Sequence, residues 1–222
     1  GYAGSVYPIR RFLRRRRPAW MEAFHRLTPL IGEEGQVDWG SFGTLRIGRA
    51  TRRLSCFVMV LSWSRATFAR FTLDQSSESF LACHKQAFEA FGGVPRRLLY
   101  DNLKSAVLER DGDIIRFHPR VLQLAGHYHF APTPVAVARG NEKGRVERRI
   151  RDLRESFFAA RSFRDLDDLN AQLDTWIRDV ASARRVPQDN SGRFVRDALV
   201  EERARLLPLP AHPFPTDLVK PA

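Results

Sequence analysis

The stretch 54–63 most constrains the fold, because its sequence, LSCFVMVLSW, is dense in Val, Leu, Phe, Met and Cys and shows no polar alternation. A strand with one face in solvent would alternate between apolar and polar residues. A continuous apolar run of this length instead predicts a strand that is covered on both faces. We therefore expect a sheet with a layer packed against each side.

The flanking sequence predicts more strands and a helix. Four further strands are expected: 36–39, 44–47 (pairing with 36–39), 66–73, and 97–100. Short turns between the first strands indicate an antiparallel meander. Residues 76–91 predict a helix with an apolar stripe, on which His84 is expected to be a core residue. The helical crossover should then bring 97–100 back parallel to the first strand.

Helical periodicity dominates the last third of the chain. Residues 141–158 predict a helix whose apolar face is Val146, Ile150, Leu153 and Phe157. Residues 166–180 and 194–206 predict two more helices. The chain then becomes proline-rich, which predicts an extended segment after residue 207.

Positive charge dominates the composition. Lys and Arg number 37 against 25 Asp and Glu, which gives a formal net charge of +12. Most of the excess is arginine, which binds phosphate through two parallel hydrogen bonds. A surplus of this size favours nucleic acid or an anionic membrane as the partner. The longest apolar run, 56–61, is far too short to span a bilayer, so nucleic acid is favoured and no membrane association is expected.

The basic residues are clustered in two blocks, 10–17 and 139–164. A charged run is most often a solvated face, but the second block surrounds an acidic residue, Glu147. The two cysteines form no CxxC pair or metal-finger spacing, and they fit a reducing, cytoplasmic location.

Three acidic residues lie where a metal-dependent site on DNA would need them. Asp38 and Asp101 follow apolar residues in two strands that we expect to be neighbours, and Glu147 lies early in the basic helix. Carboxylate oxygens are the ligands that Mg²⁺ prefers. Three such groups at one point can hold two ions, which activate the attacking oxygen and stabilise the leaving one.

Each carboxylate also has an ordinary structural explanation. Asp38 could precede a turn at Gly40, Asp101 could belong to a strand-ending turn, and Glu147 could form a helix ion pair with Arg151. However, strands disfavour aspartate, so Asp38 within Gln-Val-Asp-Trp is harder to explain without a function. A buried carboxylate would need a compensating charge, either a metal ion or an arginine.

Three sequence motifs resemble those of a known family. The segments GQVDWG (35–40), YDNLK (100–104) and GNEKGRVE (140–147) look like the three acidic motifs of the retroviral-integrase-like catalytic core, most closely those of IstA-type insertion-sequence transposases. The resemblance covers roughly residues 30–180. It implies a ribonuclease-H-like α/β fold, with a mixed five-stranded sheet flanked by helices and extra C-terminal helices. It also implies an Asp38–Asp101–Glu147 triad binding Mg²⁺ or, as a substitute, Mn²⁺; Glu142 is a weaker alternative to Glu147.

The resemblance implies a division of the chain. We expect the end of an N-terminal helical DNA-binding region (1–17), a linker (18–33), a catalytic core (34–160), a helical extension (161–207) and a proline-rich tail or linker (208–222). Transposases of this family act as multimers on transposon ends and target DNA, with an ATPase helper protein. The residues expected to contact DNA are Lys104, Lys143, Arg145, Arg148 and Arg151 around the triad, together with Arg14 and Arg15.

Three functions remain open from the sequence. The leading one is a DNA transposase that cuts transposon ends and transfers the freed 3′-hydroxyl into target DNA. The second is a nuclease of the same fold that hydrolyses DNA without joining it. The third is a DNA-binding or assembly module without chemistry, which the basic blocks and late helices could also serve.

Overall fold

A computed structural model describes residues 6–7, 11–12, 29–47, 49–100, 107–111, 114–135, 140–187, 189 and 191–216. Most of the predicted N-terminal region and linker (1–17 and 18–33) lies outside these residues. Residues 6–7 and 11–12 are helical, within the N-terminal region where helix was expected.

The fold is a mixed five-stranded sheet flanked by helices, as predicted. Its strands lie in the order β3-β2-β1-β4-β7, and they are β1 (Glu34–Ile47), β2 (Ala50–Leu61), β3 (Thr67–Thr72), β4 (Arg97–Tyr100) and β7 (Ala131–Pro134). A separate hairpin pairs β5 (Val107–Asp111) with β6 (Ile114–Phe117). The α-helices are α1 (Ser77–Phe91), α2 (Pro119–Tyr128), α3 (Gly140–Asp152), α4 (Leu166–Trp176) and α5 (Val195–Arg203). A π-helical turn continues α3 (Leu153–Phe157) and another continues α4 (Ile177–Ala181), and a 3-10 turn (Phe158–Ala160) follows the first.

The prediction for residues 44–47 was wrong. They do not form a separate strand that pairs with 36–39; they continue β1, and both parts of β1 pair with β2. The register shifts between Ser41 and Thr44, where Gly43 has a φ of +85°. Glycine at a positive φ is typical of a β-bulge, which absorbs an extra residue without ending the strand. The Gly-Ser-Phe-Gly sequence therefore makes a bulge where a turn was expected.

Beyond this bulge, β1 and β2 leave the sheet as a two-stranded ribbon. Residues 44–47 pair with 50–53, whereas β3 pairs with β2 only from Ser55 to Val60 and β4 pairs with β1 only from Glu34 to Val37. The side chains of 51–53 are exposed. The ribbon is therefore bordered by none of the other described strands.

The sheet is buried on both faces, which confirms the prediction from 54–63. Every residue of β2 from Leu54 to Leu61 is buried. One face packs with α1 and α2 in a core that contains Phe57, Phe80, Phe88 and Leu98. The other face packs with α3 and α4 in a core that contains Val58, Phe71, Ile150 and Leu173. Because β2 contributes to both cores, alternate residues of one strand stabilise two layers.

Helix α1 fixes the end of β4 through His84. Its Nδ1 lies 2.7 Å from the carbonyl oxygen of Phe80, which can only accept, so Nδ1 carries the proton. Its Nε2 then accepts a hydrogen bond from the Tyr100 hydroxyl at 3.0 Å. Burial lowers the pKa of His84 to about 4, so the ring is neutral. The expectation that His84 is a core residue is confirmed.

The C-terminal part of the chain docks on the sheet. Glu202 of α5 is fully buried and accepts hydrogen bonds from the backbone N–H groups of Gly32 and Ser64, both at 3.1 Å. Further on, Phe214 is buried in the core beside α2, and Arg120 donates to the carbonyl of Pro215 at 2.9 Å. A bilayer-spanning helix is absent from the described residues, since none of their helices combines the necessary length and hydrophobicity.

Candidate active site

Asp38 lies in the middle of β1, on the face that α3 covers. It pairs directly with Val58 of β2, and side chains that face each other across an antiparallel pair lie on the same side of the sheet. Val58 belongs to the core beneath α3. The Asp38 side chain is half-buried, and its Oδ1 accepts a hydrogen bond from the Trp39 N–H at 2.7 Å. An aspartate at this position therefore faces α3.

Helix α3 contacts β1 at two positions, one before Asp38 and one after it. Two residues before it, the buried Gln36 accepts a hydrogen bond from the Val146 N–H through Oε1 at 3.4 Å. Two residues after it, Gly40 lies so close to α3 that an added Cβ would come within 2.8 Å of the Ile150 Cγ2. Alternate residues of a strand share a face. Asp38 therefore lies between the two contacts that fix α3 on the strand.

Glu147 follows the first of these contacts along the helix. Each residue of an α-helix is rotated by about 100° from the one before, so Glu147 lies to one side of the buried Val146. Its side chain is exposed. Among the described residues, no ion pair joins Glu147 to Arg151, so the structure does not show the helix ion pair that could have explained it. Glu147 has access to solvent beside the strand that carries Asp38.

Asp101 lies outside the described residues. Tyr100, the residue before it in the sequence, pairs in parallel with Val37, the residue before Asp38. The hydrogen bond from Tyr100 to His84 holds the residue from which Asp101 continues.

The donors available here suit a hard divalent cation. Within the ranges that the structure describes, no group of three or more His, Cys, Asp or Glu side chains could hold a metal ion. Asp38 and Glu147 are two of the three predicted ligands, and the third, Asp101, lies outside those ranges. Carboxylate oxygens with access to water are what Mg²⁺ prefers. The chemistry of Asp38 and Glu147 therefore fits such an ion.

The basic residues predicted to bind DNA fall in different places. Arg14, Arg15, Lys104 and the side chain of Lys143 lie outside the described residues. Arg148 and Arg151 are exposed on α3. Arg145 is different: it donates from Nη1 to the Glu34 Oε1 at 3.1 Å and to the Ser62 Oγ at 3.0 Å, and its side chain is only 16% exposed.

Arg145 also points away from Glu147. The two residues are two apart, so they project from α3 about 160° apart. Arg145 contacts the end of β2, on the opposite side of β1 from β4. In the structure it anchors α3 to the sheet and does not line the same side of the helix as Glu147.

Gln36 and Gly40 were not among the residues predicted for the site. Both belong to the GQVDWG segment and share the face of Asp38. The alternation of β1 could have predicted that both residues face the same side as Asp38, since every second residue of a strand faces the same way. What the sequence does not show is that this face receives α3 at so short a distance.

Replacing Gly40 with Ala tests this close contact. The added methyl group would lie 2.8 Å from both Ile150 Cγ2 and Phe42 Cε2, so these side chains or the helix that carries Ile150 must move. Overpacking of this kind costs about 1–3 kcal/mol. We expect a lower free energy of unfolding in urea.

The matched control is Gly126→Ala in α2, where an added Cβ meets no atom within 4 Å. In a helix this change should stabilise by about 0.5–1 kcal/mol. Equal stability of Gly40→Ala and the wild type would contradict the close packing of Gly40 against Ile150.

Comparison with known proteins shows what this chain is similar to. Residues 34–139 match the integrase core domain. The chain is 32% identical over 210 residues to a protein of insertion sequence element IS5376 from Geobacillus stearothermophilus, covering 94% of this chain and 52% of that protein. It is also 32% identical over 220 residues to the transposase for insertion sequence element IS21 from Pseudomonas aeruginosa, covering 97% and 55%. The chain spans about half the length of these relatives.

Solved structures show the same fold at low sequence identity. A chain of the simian T-cell lymphotropic virus intasome, in complex with a PP2A regulatory subunit, has a TM-score of 0.56 at 16% identity and covers 87% of this chain and 61% of that one. The HTLV-2 integrase catalytic core domain, in complex with magnesium, has a TM-score of 0.50 at 17% identity and covers 76% and 97%. The predicted ribonuclease-H-like fold is therefore confirmed.

Proposed function

We propose, from the match of residues 34–139 to the integrase core domain, that this chain is the catalytic core of a DNA transposase. It would cut transposon ends and join the freed 3′-hydroxyl to target DNA. The relatives from insertion sequences support transposition as the process. The similarity to the IS21 transposase supports the narrower assignment to the IstA type.

The observation that carries this proposal is the position of Asp38 relative to α3. The strand that holds Asp38 touches α3 at Gln36 and at Gly40, and Glu147 is adjacent in sequence to the first contact. A merely structural aspartate in a strand interior would be unusual, because strands disfavour this residue. A half-buried carboxylate beside an exposed one is an arrangement that a shared cation would stabilise.

In this proposal Asp38, Asp101 and Glu147 hold Mg²⁺, with Mn²⁺ as a substitute. The bound ions would activate the attacking oxygen and stabilise the leaving oxygen at phosphorus. The protein's own part is to hold the carboxylates in position. Trp39 N–H fixes one oxygen of Asp38, and Gln36 with Gly40 sets the position of the helix that carries Glu147. The magnesium-bound HTLV-2 core, which has the same fold, supports the choice of metal.

Basic residues would bind the DNA backbone without reading its sequence. Arg148 and Arg151 are exposed on α3 and are available for this role. Lys104, Lys143, Arg14 and Arg15 remain predictions. Arg145 is committed to Glu34 and Ser62, so we propose that it acts by holding α3 in place and only secondarily through its charge.

A strand-transfer assay tests the proposed function. The chain is incubated with a labelled duplex that ends in a recessed 3′-hydroxyl, a supercoiled plasmid and MgCl₂, and joined products are separated on a gel. We expect plasmid-linked label that depends on MgCl₂ or MnCl₂ and disappears with EDTA. Cleavage without joining would instead indicate the nuclease alternative, and metal-independent binding with neither reaction would indicate the non-catalytic module.

The assay must allow for the length of the chain, which spans about half of the relatives. The complete protein's end recognition, its assembly as a multimer and its ATPase helper are therefore proposals from the resemblance. We propose the same division of the chain as before: 1–17 and 18–33 preceding the core, 34–160 as the core, and 161–207 and 208–222 following it. A donor duplex of arbitrary sequence, already ending in a 3′-hydroxyl, together with a non-specific plasmid target, makes the assay independent of end recognition.

A further inference from the structure

The ribbon formed by 44–47 and 50–53, with the turn that joins its strands, is basic. Its arginines are Arg46, Arg49, Arg52 and Arg53, and the sequence has no aspartate or glutamate between positions 38 and 74. All four arginine side chains are exposed. Among the residues that the structure describes, no ion pair engages Arg49, Arg52 or Arg53. The ribbon therefore presents positive charge to solvent.

The arginines lie on both faces of the ribbon and at its turn. Arg53 pairs with Thr44, and Arg46 follows Thr44 by two residues on the same strand. Arg46 and Arg53 therefore share one face. Arg52 is the neighbour of Arg53 in the strand and projects from the other face. Arg49 lies in the turn. A partner that surrounds the ribbon can thus meet a guanidinium from each direction.

The base of the ribbon is fixed to the helical layer. Arg154, in the π-helical turn that continues α3, donates through Nε and Nη2 to the carbonyl oxygen of Ser41, both at 3.2 Å. Its guanidinium also lies 5.4 Å from the centre of the Phe42 ring. Phe42 is buried against Phe71 and Phe158, whose ring centres are 5.0 Å and 5.2 Å away. The ribbon therefore leaves the sheet from a fixed position.

The same arginine lies on the side of α3 that carries Glu147. Arg151 and Arg154 follow Glu147 by four and seven residues, which is the spacing of neighbours on one side of a helix. Helix α3 contacts β1 first at Gln36 and then at Gly40, so it runs along β1 towards the bulge. A basic stripe therefore leads from the candidate active site to the base of the ribbon.

The sign of the charge indicates the partner. Charged side chains on a ribbon also keep its open edges from pairing with other strands, but acidic residues serve that purpose as well as basic ones. Here every charge is an arginine, which binds phosphate through two parallel hydrogen bonds. The major groove of B-DNA admits a two-stranded ribbon, with a phosphate backbone on each side. The ribbon is therefore suited in both shape and charge to a DNA duplex.

We propose that the ribbon binds duplex DNA outside the carboxylate site, through contacts from Arg49, Arg52 and Arg53 to phosphates on the two sides of a groove. This inference rests on the proposed function, since it takes DNA as the ligand. A strand rises about 3.3 Å per residue, so Arg46 is no more than about 26 Å from Asp38 along β1. Phosphates of one DNA strand follow each other about every 3.4 Å along the axis. The ribbon thus contacts DNA up to about 8 base pairs from the phosphate that reacts.

The salt dependence of DNA binding tests the ribbon. Affinity for a labelled duplex of about 30 base pairs is measured by fluorescence anisotropy at several NaCl concentrations, without divalent metal. The variants are Arg49→Gln, Arg52→Gln, Arg53→Gln and the triple change, called the ribbon triple. Each neutralised phosphate contributes about 0.9 to the slope of log affinity against log salt. Each single variant should lose about one unit of slope, and the ribbon triple about two to three.

A matched triple variant removes the same charge elsewhere. Arg164→Gln, Arg178→Gln and Arg196→Gln alter side chains that are 86%, 70% and 60% exposed. This control has the same net charge as the ribbon triple and should keep the wild-type slope. All six altered positions are exposed, so both triple variants should unfold at the urea concentration of the wild type. An equal loss of slope in the two triples would mean that net charge alone binds DNA, and it would overturn the ribbon site.

The length of the donor duplex distinguishes transposon-end DNA from target DNA. The strand-transfer assay is repeated for the wild type and the ribbon triple with donors of about 5 to about 30 base pairs, at DNA concentrations below saturation. If the ribbon holds the donor, joining should fall several-fold only with donors longer than about 8 base pairs. If the ribbon holds the plasmid, joining should fall by the same factor at every donor length. Either result supports the ribbon site and identifies the DNA that it holds.

The outcomes separate this inference from the proposed function. A wild-type slope in the ribbon triple overturns the ribbon site, whether or not the chain cuts DNA. A slope reduced by about two to three units, in a chain that neither cuts nor joins DNA, supports the ribbon site and contradicts the proposed chemistry. A wild-type chain that does not bind the duplex overturns the ribbon site, and the strand-transfer assay then decides the proposed function by itself.

Discussion

Asp38→Asn and Glu147→Gln should each abolish metal-dependent DNA cleavage and strand transfer while DNA binding is retained. Both changes keep the size of the side chain, and the amide oxygen of an asparagine in place of Asp38 could still accept from Trp39 N–H. Each removes one negative ligand from the candidate metal site. Metal-ion catalysis supplies several kcal/mol at phosphorus, so the rate should fall on the order of 10³-fold or more. The measurement is the initial rate of product formation on gels at saturating DNA.

Two control variants make this result specific. Glu155→Gln changes an exposed carboxylate eight residues after Glu147 and should leave the rate unchanged. Glu142→Gln tests the alternative ligand. Full activity in Glu147→Gln together with an inactive Glu142→Gln would move the third ligand to Glu142. Cleavage that survives in both Asp38→Asn and Glu147→Gln would overturn the active-site assignment.

Glu202→Ala should cause the largest loss of stability among the changes considered. The buried carboxylate accepts hydrogen bonds from Gly32 N–H and Ser64 N–H. Alanine leaves both backbone donors buried and unpaired, each at a cost of about 1–3 kcal/mol. We expect the free energy of unfolding to fall by about 2–5 kcal/mol, measured by urea denaturation. A matched change, Glu201→Ala, affects an exposed neighbour and should cost less than about 1 kcal/mol.

The contribution of Glu202 to the free energy of unfolding should depend on pH, and the direction follows from its pKa. Burial, the largest cause, raises the pKa of Glu202, and hydrogen bonds from Ser64 and Gly32 oppose it. The folded chain therefore holds this proton more tightly than the unfolded chain, whose carboxyl titrates near 4.5. The resulting stabilisation is full below that pH and is lost as pH rises through the raised value. Relative to Glu202→Gln, the wild type should gain stability when pH is lowered from about 7 to about 5; a constant difference would contradict this.

Much of the architecture could be predicted because it depends on local periodicity. The unbroken apolar run in 54–63 required cover on both faces, and β2 has it. The 3.6-residue pattern of 141–158 identified Val146, Ile150 and Leu153 as part of a buried stripe, and all three are buried. A side chain's face on a helix or strand follows from its position in the pattern. Such features can be predicted without knowing which distant residues pack against the segment.

The remainder depends on contacts between residues that are distant in sequence. Arg145 lies two residues from Glu147, yet whether it faces DNA or the sheet depends on Glu34, 111 residues earlier. Gly43 is in a segment that resembles a turn, and only its pairing with β2 makes it a bulge. The buried position of Phe214 likewise depends on α2. The residues that make these contacts cannot be predicted from the sequence pattern around each position.

The two parts of β1 and β2, within the sheet and on the ribbon formed by 44–47 and 50–53, should differ in how well they tolerate substitutions. Within the sheet, alternate positions of β2 face one core or the other, so most substitutions there would impair folding. On the ribbon, the side chains of 51–53 are exposed, and surface changes of this kind usually alter stability by less than about 0.5 kcal/mol. Substitutions at 51–53 can therefore change what this ribbon contacts while the strands within the sheet keep their packing.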